Sequence, residues 1–179
     1  MKHTDIPRRS FSALAAHGVL ALAGLICAAS AHAQVLGSEE LAPELTTPPP
    51  PSFSTEKLIF LGYRTNSSLR IGVDPDTLSI GKDDIVRYVV VSLKPSGPPS
   101  AQYEGIRCRS AETKVYGRFN EDSGWSLVQD PPWRSLFDPV PSRHALLLAR
   151  GGICASASAN TSVRRMIADL RGVENLSLP

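Results

Sequence analysis

Histidine, cysteine and methionine are scarce in this sequence of 179 residues, which holds four, three and two of them, and aromatic residues make up only 6%. Three of the histidines, His3, His17 and His32, fall within the first 33 residues, so only His144 is left to a folded domain. A multi-histidine metal site cannot be built from that supply within one chain, and a histidine-based triad has one possible base. Neither a Gly-x-Ser-x-Gly elbow nor a glycine-rich phosphate loop occurs. The apolar stretch Ala13 to Cys27 is rich in alanine and glycine, is broken by His17, and is too short to prefer spanning a bilayer. No cofactor, no metal ligand set, no catalytic residues and no transmembrane segment in the mature chain are therefore expected.

The chain opens with an export pattern. Lys2, Arg8 and Arg9 precede the apolar stretch, and Ala31-His32-Ala33 supplies small-x-small ahead of Gln34. That order predicts a secretory signal peptide over residues 1–33, cleaved after Ala33. Arg8-Arg9-Ser10-Phe11 matches the core of a twin-arginine signal, but Ser12 stands where a second apolar residue is usual, so the general secretory route is expected. Lipidation at Cys27 is not, because bulky Ile26 precedes it. The precursor has 19 Lys+Arg and 17 Asp+Glu; loss of Lys2, Arg8, Arg9 and Asp5 leaves 16 of each and no net charge. Nucleic acid, which calls for a concentrated basic footprint, is thus not an expected partner. Cys108 and Cys154 survive as an even pair in an exported chain, which predicts a disulfide. It would close a loop of about 47 residues, worth about 4 kcal/mol by chain entropy.

Residues 34–55 carry Glu39, Glu40, Glu44, Pro43 and the run Pro48 to Pro51, and read as a proline-rich linker in polyproline II, flexible overall and stiff at the prolines. A single domain is expected over residues 56–179. Lys57 to Arg64 and Leu69 to Val73 predict strands either side of a turn at Thr65 to Ser68. The chain then centres on three strand-like runs, Asp84 to Leu93, Gln102 to Arg109 and Glu112 to Phe119, which form a meander. In the first, Ile85, Arg87, Val89, Val91 and Leu93 share one face and Val86, Tyr88 and Val90 the other, so the strand is central. In the second, Glu104, Ile106 and Cys108 oppose Tyr103, Gly105, Arg107 and Arg109, which suits one covered and one wetter face. Trp125 to Val128 gives a short strand, with Trp125 and Trp133 read as packing residues. Ser142 caps a helix through Arg150 with Leu146, Leu147 and Ala149 or Arg150 on its packed side, and Ala155 to Asn160 is a flexible link. Ser162 then caps a helix through Arg171. Asp74, Asp76, Asp83 and Asp84 match no calcium loop and are explained by turns. The fold class is α+β: an antiparallel sheet of five or six strands with a C-terminal helix packed on it.

The strings Val73 to Gly81, Ile85-Val-Arg-Tyr88, Tyr103-Glu-Gly-Ile-Arg-Cys108 and Trp125 resemble the CNP-like family of exported proteobacterial proteins of unknown function, over about Leu58 to Cys154. The resemblance implies no activity, and no site residue is carried over from it. A fainter likeness, in the turn ahead of the long strand, is to the surface-adhesin E group, which pairs an antiparallel sheet with a C-terminal helix.

For function, the polar residues inside the meander matter most, since a charge in an apolar strand is costly to bury unless paired. Arg87 and Arg107, with Tyr103 or Tyr88 on the rim and Glu104 fixing their geometry, form a candidate anion-binding patch. In the plainer alternative, Glu104 bridges Arg87 or Arg107 as a structural ion pair, or the residues lie on a wet face. His144 is read as a solvated first-turn residue. These features point to a periplasmic or envelope-facing module that binds an envelope protein or cell-wall component without chemistry. A surface adhesin and a weak hydrolase using Glu104 are the alternatives.

Overall fold

The structure is a computed structural model and describes residues 41–62, 68–138 and 143–176, without the side chains of residues 174–176. The export signal and its cleavage site, the turn at 65–67 and the helix cap expected at Ser142 lie outside the described residues.

Among the described residues eight strands form one antiparallel sheet. They are β1 (Ile59–Phe60), β2 (Arg70–Val73), β3 (Ser79–Ile80), β4 (Ile85–Leu93), β5 (Ser100–Arg107), β6 (Glu112–Asn120), β7 (Gly124–Leu127) and β8 (Arg134–Ser135). The path runs β1-β2-β4-β5-β6-β7, with β3 also paired to β4 and β8 to β6. The expected three-stranded meander is β4, β5 and β6, and β7 extends it by one strand. In β4 the first seven residues are all buried, as two apolar faces require of a central strand.

One face is covered by helices. Val86, Tyr88, Val90 and Ile106 pack there with Ala145, Leu148, Ile153, Met166 and Leu170. Two helices lie on this side, α1 (Arg143–Leu148) and α2 (Val163–Leu176). The buried residues of α1 are His144, Ala145 and Leu148, and Ala149 just beyond it is buried as read, while Leu146 and Leu147 are only half-buried. The chain leaves α1 through a π-helical turn, Ala149–Ile153, in which Gly152 has φ 137°. A Cβ there would approach Cβ of Asp169 in α2 to 2.5 Å, so a glycine is needed both for the backbone and for the helix contact. The stretch expected as a flexible link forms a small hairpin instead, β9 (Cys154–Ala155) with β10 (Ser158–Ala159). The Cys108–Cys154 disulfide forms as expected, with Cα atoms 5.6 Å apart, and ties the end of β5 to this helical layer.

The second face holds Val89, Val91, Ala101, Tyr103 and Tyr116, joined by Phe53, Phe119 and Trp125. Here the linker reading needs correction. Residues 41–55 lie against this face as an extended strap, bound by hydrogen bonds to Asp83 and Asp74 and by the ring of Phe53. The face expected to be wetter is therefore covered, by a segment whose composition resembles a spacer but which carries one carboxylate and one aromatic ring that the sheet can hold.

One irregularity decides which side chains face the strap. Tyr103 pairs with Gly117 but Glu104 pairs with Val115, so Tyr116 is an extra residue in β6, a β-bulge. No helix among the described residues is long and apolar enough to cross a membrane.

Candidate functional site

Strand register builds the site. Arg87 lies opposite Gly105, Gly105 opposite Lys114, and Ile85 opposite Arg107, and directly paired residues share a face. Arg87, Arg107 and Lys114 thus all point to the strap. The bulge adds Tyr116 to the same side, and Gly105 makes room for its ring, since a Cβ at 105 would come within 2.8 Å of it.

Arg87 is 3% exposed and carries a full charge, which it could not do alone. Its guanidinium grips Asp83 with two parallel hydrogen bonds, Nη1 to Oδ1 at 3.1 Å and Nη2 to Oδ2 at 2.7 Å. Burial opposes the charge of Asp83, but Arg87 and the N–H of Leu45, donating to Oδ2 at 3.0 Å, prevail and hold its pKa below the usual value.

The residue that completes the site comes from the strap. Glu44 accepts from Lys114 Nζ at 2.5 Å, from Tyr116 OH at 2.7 Å and from Trp133 Nε1 at 3.1 Å, and lies 3.9 Å from Arg87 Nη2. Burial works against its charge, and these donors outweigh it, so its pKa is also lowered. Two cations approach the Trp133 ring: Arg107 lies 4.2 Å and Lys114 Nζ 4.8 Å from its centroid. Arg107 also approaches Glu112, at 3.8 Å. Trp133 is thus part of a charged cage, while Trp125 packs edge-on to Phe53, Tyr103 and Phe119.

Beside the cage lies a cavity of about 470 Å³. Thr46, Thr47, Pro48 and Pro49 line it from the strap, and Tyr103, Lys114, Tyr116, Leu127, Val128 and Pro131 from the sheet and its loops. Tyr103 is 3% exposed, and its hydroxyl has no hydrogen-bond partner among the described residues.

Of the four binding residues read from the sequence, Arg87, Arg107 and Tyr103 share this face. Glu104 does not. It pairs with Tyr88 across the strands and points to the helical side, so it neither fixes the arginines nor bridges them. There it is 0% exposed, accepts from Tyr88 OH at 2.9 Å, and has both oxygens 3.0 Å from His144 Nε2. The solvated reading of His144 is likewise corrected: it is 8% exposed, and although burial disfavours its charge, the Glu104 carboxylate raises its pKa. Burial, then Glu104, pushes the Tyr88 hydroxyl well above its ordinary value. Glu44, Asp83 and Trp133 were not read as site residues. Asp83 sits four positions before Arg87, the one signal that could have paired them.

Among the turn aspartates, Asp74 accepts from the N–H of Asp76 at 3.1 Å and of Ser54 at 2.7 Å. Among the described residues no group of three or more His, Cys, Asp or Glu side chains is placed to hold a metal ion.

The model of the CNP1-like family matches residues 39–171, more than half of the chain and inclusive of the strap. No curated protein matches the sequence, and no solved structure matches it.

Proposed function

This chain belongs to the CNP1-like family, and from that premise we propose that it is an exported, periplasmic protein of the cell envelope that works by binding and carries out no chemistry. The observation that carries this reading is the cavity on the strap face, where aliphatic and aromatic walls meet the charged side chains of Glu44 and Lys114 and the hydroxyl-bearing Thr46, Thr47, Tyr103 and Tyr116, so that apolar surface and orienting polar groups converge as in a binding site. Among the described residues, His144 and Glu104 resemble a catalytic dyad, but the pair is buried between α1 and the sheet on the opposite face, and neither residue lines this cavity. The export pattern of residues 1–33 supports the compartment, as does a disulfide, which persists in oxidising surroundings. The partner class is an envelope protein or cell-wall component.

The test uses two surface variants. Leu127 is 61% exposed and lines the cavity, whereas Arg164 is exposed on α2 at the other face. A partner captured from envelope extract by the wild type and by Arg164→Glu, but lost by Leu127→Glu, supports the reading. Equal capture by all three, or turnover of an ester or cell-wall substrate by the purified protein, overturns it. For the compartment, protease shaving of intact cells should leave the protein whole, and digestion would place it on the surface.

A further inference from the structure

The strap is held at two points and little between them. At one end three side-chain donors converge on Glu44. At the other, the ring of Phe53 stands edge-on to Phe119 and Trp125, at 5.0 and 5.9 Å between centroids. Among the described residues no backbone N–H from Thr46 to Phe53 bonds to the sheet, whereas those of Leu45 and Ser54, at the two ends of that stretch, bond to Asp83 and Asp74. Pro48 to Pro51 tolerate this because polyproline II keeps its backbone solvated and needs no ladder. Thr46 to Pro49 line one side of the cavity of about 470 Å³.

The cage addresses a carboxylate rather than this particular chain: Lys114, Tyr116 and Trp133 all bond the Glu44 side chain and none bonds its backbone. It also has capacity left over. Among the described residues Arg87 Nε is buried without a partner, and the buried Tyr103 lines the cavity. We propose that this face is a receptor for an extended, acidic, proline-containing peptide segment of a partner protein, and that residues 41–53 occupy it in cis. The partner's carboxylate takes the position of Glu44, its chain crosses the cavity within reach of the Tyr103 hydroxyl, and an apolar side chain enters the notch between Phe119 and Trp125. The strap is both a copy of the ligand and its competitor. This inference rests on the binding-module reading and names its ligand class.

The probe is a labelled synthetic peptide with the sequence of residues 39–55, added to the whole protein carrying Glu44→Ala and Phe53→Ala, which free both anchors. Fluorescence anisotropy should show saturable binding. The wild type should bind at least about tenfold more weakly, because its own strap competes at an effective concentration on the order of millimolar. Binding should fall at least about tenfold when the peptide's glutamate at position 44 is glutamine, and likewise when Lys114→Ala is added to the double variant. A folded double variant that does not bind, or one whose binding ignores Lys114→Ala, overturns the proposal. Should the double variant not fold, the single Glu44→Ala protein is titrated with acetate. A saturable rise in its melting temperature, absent from Glu44→Ala/Lys114→Ala, supports the carboxylate cage, and no rise overturns it. If the wild type captures its envelope partner while no variant binds the peptide, this inference fails and the binding-module reading stands; if neither binds, both fail.

Discussion

Replacing His144 by leucine removes one member of the buried pair and leaves Glu104, at 0% exposure, with Tyr88 as its remaining donor. Breaking a buried pair in this way costs about 3–5 kcal/mol, because the abandoned charge has no water to return to. With an unfolding entropy of about 2.1 cal/mol/K per residue over roughly 130 residues, that loss lowers Tm by about 11–18 °C. Removing the charge as well, in His144→Leu/Glu104→Gln, should restore at least about 1 kcal/mol, since the amide oxygen still accepts from Tyr88. The pH dependence has a definite sign. His144 has a folded pKa above its unfolded one, so the stability it gives is complete below the unfolded value of about 6.5 and is lost as pH rises through the folded value. The advantage of the wild type over the double variant should therefore shrink as pH rises above about 6.5, measured by denaturant unfolding with the disulfide intact. A cost of under about 1 kcal/mol for His144→Leu, or an advantage that grows with pH, would refute the buried, charged pair.

The Cys108–Cys154 bond spans 46 positions, so Cys154→Ser or reduction should cost about 4 kcal/mol and about 15 °C of Tm, and thiol titration of unfolded, unreduced protein lacking residues 1–33 should find no free cysteine. Glu44 has a lowered pKa, so its contribution is present above the unfolded value of 4.5 and is lost as pH falls through the folded one. The Trp133 indole N–H resonance should accordingly shift only in acid, with Trp125 unmoved. Gly105→Ala should push the Tyr116 ring off β5 at a cost of about 1–3 kcal/mol in the denaturant midpoint, and should expose the strap to protease.

Where the sequence could be read, the reason was local rhythm. The period of two in β4 assigned both of its faces correctly, because nothing interrupts that strand between Ile85 and Leu93. The same rhythm in β5 already sets Glu104 against Arg107, so an ion pair between them was excluded by alternation alone. The spacing of His144 and Leu148, one helical turn apart and flanked by glycines only further on, offered the packed face of α1; the adjacent leucines drew attention from it. What was not legible is the strap's attachment. Glu44 meets Lys114 and Trp133 across 70 and 89 positions, and no local pattern distinguishes a carboxylate bound at that range from one in a solvated linker.

The extra residue in β6 has a consequence for which changes of chain length the protein can accept. A strand counts in twos, and Tyr116 shifts the count by one, so that even-numbered Lys114 and odd-numbered Phe119 look the same way. Deleting Tyr116 would restore strict alternation without turning any other side chain over: Val115 would still meet Glu104, Gly117 would still meet Tyr103 and Phe119 would still meet Ala101, so the seat for Phe53 stays and the seat for Glu44 loses one donor. The strand should therefore accept the loss of one residue at the bulge, whereas the loss of one within β4, whose residues all pair in strict alternation with β5, would turn the rest of that strand over.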